Sequence, residues 1–160
     1  MQIETERFGT ITLKDEKIIH FPVGLPGFED LHEFILLEVE ESRPLFWLQS
    51  TTNMYIALPV IIPFEILDDY FFQIRDQELR ELSIESQNDL LILCVVVIPE
   101  DIQKMTANLA APIIVNTKPG IGKQIIIDAK ETPIRFPIYE LIMQKLKGGG
   151  QDAGVVEEKK

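Results

Sequence analysis

No stretch of this chain limits its fold more than the apolar run Leu90-Leu91-Ile92-Leu93-Cys94-Val95-Val96-Val97-Ile98, closed by Pro99. Nine residues are too few to cross a bilayer as a helix, which takes about 20. The β-branched tail from Val95 to Ile98 favours strand over helix. A strand that is apolar at every position has no solvent face, so other elements must cover both of its sides. It is predicted to be the central strand of the sheet. Cys94 lies inside it, which predicts a buried, inert thiol.

Further strands are legible around it. Ile3, Thr5, Ile11 and Leu13 predict a hairpin-like pair of short strands at the start. Asp15-Glu16-Lys17 reads as a polar turn, and Ile18 to Phe21 as an extended piece. Phe34 to Leu37 and Leu45 to Gln49 are strand-like, with an acidic turn region, Glu38 to Pro44, between them. Ser50 to Asn53 interrupts the chain before Tyr55 to Ile62 resumes an extended course. Pro59 within that piece predicts an edge, bulged or broken strand, since proline has no ladder donor. Ala111 to Asn116 predicts another strand. The turn Lys118-Pro119-Gly120-Ile121-Gly122-Lys123 folds Gln124 to Asp128 back on it as a hairpin.

Helical signals are few. Asp30 to Phe34 is expected to form one helical turn. Phe64 to Ile74 is ambiguous, and the alternation of Tyr70, Phe72 and Ile74 favours a turn followed by a strand from Tyr70. Asp76 to Leu82 predicts a short helix with Asp76 as its N-cap and Leu79 and Leu82 inward. Pro99 to Gln103 reads as a turn with one helical turn, Met105 to Leu109 as extended, and Glu131 to Pro137 as irregular. Ile138, Leu141, Ile142 and Leu146 have helical spacing, ended by Gly148-Gly149-Gly150. That helix either packs on its own sheet or serves as a binding element. Residues 1–147 are expected to form one domain, and 148–160 a polar, flexible tail in which Val155 and Val156 are the apolar positions.

Phe21-Pro22-Val23-Gly24-Leu25-Pro26-Gly27-Phe28 stands apart. Two prolines and two glycines in eight residues exclude a regular helix. Phe21, Val23, Leu25 and Phe28 are nevertheless apolar. The segment is either a buried connection wrapping the core or an exposed apolar docking loop.

Charge excludes several functions. The chain has 26 acidic and 15 basic side chains, a formal charge of −11. Direct nucleic-acid binding calls for gathered Lys and Arg, and attachment to an anionic bilayer for the same. Neither is expected. The imbalance lies in residues 1–103, with 20 acidic and 6 basic, against 6 acidic and 9 basic beyond. This is either ordinary solvated surface or a polar molecule that steers a basic partner. The start of the chain is no signal peptide, so a cytoplasmic protein is expected.

Motifs for chemistry are missing. One cysteine permits no internal disulfide and no cysteine zinc cluster, and two histidines cannot supply three imidazoles. His20 and His32 are read as structural or surface residues. Pro119-Gly120-Ile121-Gly122-Lys123 lacks the complete phosphate-loop pattern, with Gln124 where a hydroxyl belongs. Gly24-Leu25-Pro26-Gly27 is no dinucleotide fingerprint. Asp68-Asp69 and Glu40-Glu41 are adjacent pairs that point to opposite faces of an extended chain, not acid/base dyads. Ser50, Ser83 and Ser86 lack nucleophile-elbow spacing. No catalytic residue, metal ligand or cofactor site is expected, and a small-ligand-binding β domain stays open as an alternative.

Several of these blocks together resemble the FliW family of bacterial flagellar assembly factors. They are Ile18-Ile19-His20-Phe21-Pro22-Val23-Gly24-Leu25-Pro26-Gly27-Phe28-Glu29, Trp47-Leu48-Gln49-Ser50, Ile98-Pro99-Glu100-Asp101, the stretch from Lys104 to Asn116 around Asn108-Leu109-Ala110-Ala111-Pro112, Gly122-Lys123-Gln124, and Arg135-Phe136-Pro137. Departures from the family pattern are Pro59, Phe136 where many members have histidine, and the tail after Lys147. The resemblance implies a mainly β, compact pseudobarrel of mostly antiparallel, strongly bent strands, with a few short helices and a C-terminal helix. It implies a cytoplasmic protein with two protein partners. One is flagellin before export. The other is the carbon storage regulator, a homodimeric RNA-binding repressor of translation, engaged at a site separate from its RNA surface. A dedicated flagellin chaperone that never meets the regulator is the competing expectation. Candidate contact residues are Leu25 and Phe28 on the rim, Gln49 and Asn53 in one loop, and Asn116, Pro119 and Lys123 in the hairpin.

Overall fold

A computed structural model describes residues 2–13, 18–127 and 132–154. Two strands, β1 (Gln2–Thr5) and β2 (Gly9–Thr12), form an antiparallel hairpin. Thr5 Oγ1 closes its turn, accepting from Phe8 N at 2.9 Å and donating to Gly9 O at 2.7 Å. The larger sheet contains β3 (Ile19–His20), β4 (Glu33–Glu38), β5 (Phe46–Ser50), β6 (Ala57–Ile61) and β7 (Leu90–Val97). It continues with β8 (Thr106–Ala107), β9 (Ile113–Asn116), β10 (Ile121–Gln124) and β11 (Phe136–Pro137). The helices are α1 (Asp76–Glu81) and α2 (Tyr139–Gly154), with single 3₁₀ turns at Glu40–Ser42, Pro63–Glu65, Gln87–Asp89 and Ile102–Lys104.

Seven strands close into a barrel in the order β7-β6-β5-β4-β3-β10-β9, with β9 pairing back to β7. Every junction is antiparallel except β3 with β10. Outside the ring, β8 branches from β7 and β11 pairs with β8. The fold is thus the mainly β, strongly bent pseudobarrel that the resemblance implies.

The interior is built from one side of almost every ring strand: Ile19, Phe34, Leu48, Val60, Leu93, Ile113 and Val115, joined by Phe21 and Leu25 from the proline–glycine loop. β10 contributes a gap instead. A Cβ on Gly122 would stand 2.6 Å from Cε1 of Phe21, so glycine there makes room for the phenyl ring. Phe21 and Phe34 meet edge-to-face at 5.6 Å. Burying each phenyl side chain is worth about 1.5–3 kcal/mol.

β7 is covered on both faces from Leu90 to Val96, as its composition predicts, while Val97 at its end is exposed. Leu91, Leu93 and Val95 face the interior cluster. Cys94 and Val96 pack outward with Ile61, Ile138 and Ile142, so α2 packs on its own sheet. Ile92 joins Ile114, Ile125 and Leu82 beside α1. The opening hairpin covers the outside of β4 through Ile3, Leu13 and Ile35.

Several expectations need correction. Asp30 to Phe34 forms no helical turn: Leu31 N donates to Phe28 O at 3.0 Å in a β-turn, and Glu33 is already in the β4 ladder. β6 is not an edge, since β5 and β7 flank it. Ser50 N bonds Ile56 O, which makes alternate β5–β6 pairs bonded and leaves Pro59 opposite Trp47 in a non-bonded pair. Its missing donor therefore falls on the β7 side, where the register runs only through Val60 and Ile61.

No strand starts at Tyr70. Among the described residues, 70–75 have no ladder partner, although Tyr70, Phe72 and Ile74 do pack inward. Asp76 is not the N-cap of α1. Arg75 is, in extended geometry without a side-chain cap bond. β10 begins at Ile121, earlier than expected, because the β9–β10 register pairs Ile121 with Asn116. Phe136–Pro137, expected to be irregular, pairs with β8. α2 continues past the three glycines predicted to end it, since glycine weakens a helix by about 1 kcal/mol per residue without forbidding it. The Asp15-Glu16-Lys17 turn and Val155-Val156 lie outside the described residues.

Candidate partner-binding surface

The 50–55 loop lies on one rim of the barrel, and the β9–β10 turn, at the opposite strand ends because β10 runs parallel to β3, is staggered alongside it. β5 leaves that rim at Ser50, β4 enters it at Glu33, β3 leaves at His20, and the β9–β10 turn lies beside His20. Hydrogen bonds run along it. Thr51 N donates to Glu33 O at 3.1 Å, His20 N to Gly120 O at 2.7 Å, and Gly120 N to Asn116 O at 3.0 Å. The His20 imidazole stands 3.8 Å from the Glu33 carboxylate, both about half exposed. The proline–glycine loop departs from this rim directly after His20. Glu33, His20 and Thr51 were not predicted as site residues. Their signal is topological, because only strand pairing places them between the two loops.

The 50–55 loop is held from within. Ser50 Oγ accepts from Thr52 N and Asn53 N at 3.2 and 2.9 Å. Asn53 Oδ1 accepts from Tyr55 N, and Asn53 O from Ile56 N. Glu6 N donates to Met54 O, tying the opening hairpin to the loop. Tyr55 is 67% exposed at its tip. Trp47, at the far end of β5, is buried, with Nε1 donating to Ser42 Oγ and the Arg7 guanidinium 4.4 Å above the ring.

The predicted residues divide by burial. Leu25 packs in the barrel interior. Gln49 is fully buried: its Nε2 donates to Ser50 O at 3.0 Å, and its Oε1 has no partner among the described residues. Asn116 is buried too, and Nδ2 donates to Leu82 O at 2.8 Å and Ser83 O at 3.0 Å. It thereby fastens the end of α1, where Ser83 has a φ of +54°, to the hairpin. Asn116 Oδ1 accepts from Lys118 N. These three side chains shape the rim from inside and present no surface of their own. Phe28 and Asn53 are partly exposed, and Pro119 is exposed.

Lys123 is partly exposed and reaches Glu81 Oε1 at 2.7 Å. The Lys123 ammonium beside it, aided by Gln77, holds the Glu81 carboxyl below its usual range. Lys123 also lines a cleft of about 210 Å³ with Val23, Glu81, Leu82 and Ile121. The eight-residue loop is divided: Phe21 and Leu25 are core, while Val23 is 66% exposed at the cleft.

Chemistry elsewhere is sparse. Burial pushes the Cys94 thiol up to about 12 and, with Cys94 adjacent, raises the Tyr70 phenol as well. Tyr70 donates its proton to Leu109 O at 2.7 Å. His32 Nδ1 donates to Phe21 O at 2.9 Å, a structural bond. A cleft of about 630 Å³ holds Asp76, Glu85 and Ser86, without a histidine, lysine or cysteine in its lining. Among the described residues, no group of three or more His, Cys, Asp or Glu could hold a metal ion. Among them, too, no helix is long and apolar enough to cross a membrane.

The family model described as FliW protein matches residues 2–138. The chain belongs to the FliW family. It is 47% identical over 141 residues to a flagellar assembly factor FliW of Thermoanaerobacter pseudethanolicus, covering 88% of this chain and 94% of that one. It is 37% identical to one from Alkaliphilus metalliredigens, covering 98% of each chain. A crystal structure of the flagellar assembly factor FliW superposes with a TM-score of 0.80 at 28% identity, covering 87% of this chain and 97% of the other. The relatives and the solved structure that it matches are named as flagellar assembly factors.

Proposed function

We propose that this protein is a cytoplasmic flagellar assembly factor that binds flagellin before export and, once freed, binds the carbon storage regulator and relieves its repression of flagellin synthesis. The observation that carries the reading is the family match across residues 2–138, with relatives named as flagellar assembly factors over nearly their whole length. Charge supports the regulator half. A repressor that holds messenger RNA must present positive surface, and a protein of formal charge −11 is drawn to it. The regulator is engaged away from its RNA surface, so that repression is lifted by coupling between sites.

The contact surface proposed is the staggered surface that carries Asn53, Tyr55, Pro119 and Lys123, with Phe28 and Val23 at its side. Leu25, Gln49 and Asn116 contribute by holding it in shape. Adding purified flagellin to the complex of this protein with the regulator tests the switch. Release of regulator is expected, and simultaneous binding of both would sink it in favour of a dedicated flagellin chaperone. Hydrogen exchange with each partner separately tests the surface: slowing at residues 47–55 and 116–123 is expected, and unchanged exchange there removes it.

A further inference from the structure

On the α1 side of the barrel, a groove of about 390 Å³ runs between Phe71–Gln73 and Ile125–Ile127. We propose that this groove binds an extended peptide by strand addition, apolar at alternate positions and basic at its ends. The proposal goes beyond the flagellin and regulator reading and stands independently of it.

The main chain supplies the template. Ile125 N donates to Pro112 O at 3.0 Å and Ile127 N to Ala110 O at 2.8 Å, so 125–127 continue the hairpin past β10. Extended alternation turns the N–H and C=O of Ile126 the other way, where among the described residues they have no partner. The facing wall is open as well, since the backbone of Asp68 to Ile74 makes no hydrogen bond among the described residues. Exposed edges are ordinarily guarded by charge, proline or a bulge. This edge carries three isoleucines in succession.

Side chains supply the apolar part. Phe71 and Ile126, one on each wall, are 79% and 80% exposed. Alternate side chains of an added strand would meet them, with main-chain bonds to Ile126 setting the register. Charge selects the occupant. Asp68, Asp69 and Asp76 are exposed around the aromatic wall and make no ion pair among the described residues, while Arg75 is already paired with the buried Glu78 at 2.6 Å. A second copy of this chain would bring the same carboxylates together. A peptide with lysine or arginine at its ends would neutralise them.

The probe is a short synthetic peptide alternating isoleucine and threonine between paired lysines, titrated against the full chain by fluorescence anisotropy. Saturable binding is expected. N-methylation of the peptide's alternate amides should weaken it about tenfold, a main-chain hydrogen bond plus register, without altering the protein. Phe71→Ser and Ile126→Pro should each weaken it comparably, and exchanging the lysines for glutamates should weaken it further. Lack of saturable binding, or binding indifferent to N-methylation, would overturn strand addition. Equal binding of the glutamate-ended peptide would overturn the charge selection. Self-association of the chain lost in Phe71→Ser would assign the groove to a second copy and overturn the proposal.

Discussion

Residues 21–28 and residues 68–75 invert each other. The first has the composition of a loop and behaves as core: Phe21 is fully buried, Leu25 nearly so, and its backbone is tied by bonds from Phe21 N to His32 O, Gly24 N to Phe21 O and Phe28 N to Leu25 O. The second has the alternation of a strand and belongs to no sheet, with Phe71 mostly in solvent. The difference teaches that side-chain pattern sets which way residues face, whereas the presence of a backbone partner sets whether they form a ladder. Prolines and glycines do not imply looseness when the backbone they shape closes on itself. Aromatic alternation does not imply a sheet when no neighbour lies within reach.

Truncation should separate the two most sharply. Phe21→Ala empties the barrel centre and should cost about 3–5 kcal/mol by denaturant unfolding. A cost near that of a surface change would break the comparison. Asn116→Ala should cost about 1–3 kcal/mol, because the buried carbonyl of Leu82, and with it the part-buried one of Ser83, loses its donor.

Gly24→Ala should cost at least about 1–2 kcal/mol from its φ of +69° alone. Contact adds to this, since the new Cβ would lie 2.6 Å from Glu29 O. Gly27→Ala, with a φ of +87° and nothing within 4 Å, should suffer the backbone term only, so a larger loss at Gly27 than at Gly24 would refute the packed-loop account. Phe71→Ala should fall within about 0.5 kcal/mol of the parent. In the same preparations, amides of Phe71 to Ile74 should exchange rapidly and those of Phe21, Gly24 and Phe28 slowly.

A last, smaller check uses Cys94. A thiol pushed up to about 12 by burial stays protonated at neutral pH and should react with a thiol reagent only when the chain unfolds. The folded state disfavours the thiolate, so stability should fall as pH climbs above the thiol's unfolded value. Rapid labelling of the native protein would place Cys94 outside the core.

The fold was legible wherever one stretch of chain decides its own state. Leu90 to Ile98 declares a strand covered on both faces, which holds as far as Val96, and Ile3 to Leu13 and Ala111 to Asp128 declare hairpins, since alternation and turn sterics act over a few residues. The surface was legible only in part. Gln49, expected to offer its amide to a partner, and Asn116, expected to stand on the hairpin edge, both have interior side chains, and an amide's chemistry is the same whether it faces a partner or fills a buried gap. Their neighbours Asn53 and Pro119 lie where a partner can reach. The proline–glycine loop, the Asn-Leu-Ala-Ala-Pro block and the resemblance they carry pointed to the family without help from coordinates.

From sequence alone came the β character, the strand covered on both faces, the buried cysteine and the acidic balance, because each follows from residue type and local period. Tertiary structure alone decided that β3 meets β10 in parallel to close the ring, that Gly122 yields space to Phe21, that Pro59 sits inside a sheet, and that residues 68–74 stay open. Those outcomes depend on which distant segments meet, and nothing in a local pattern records the partner.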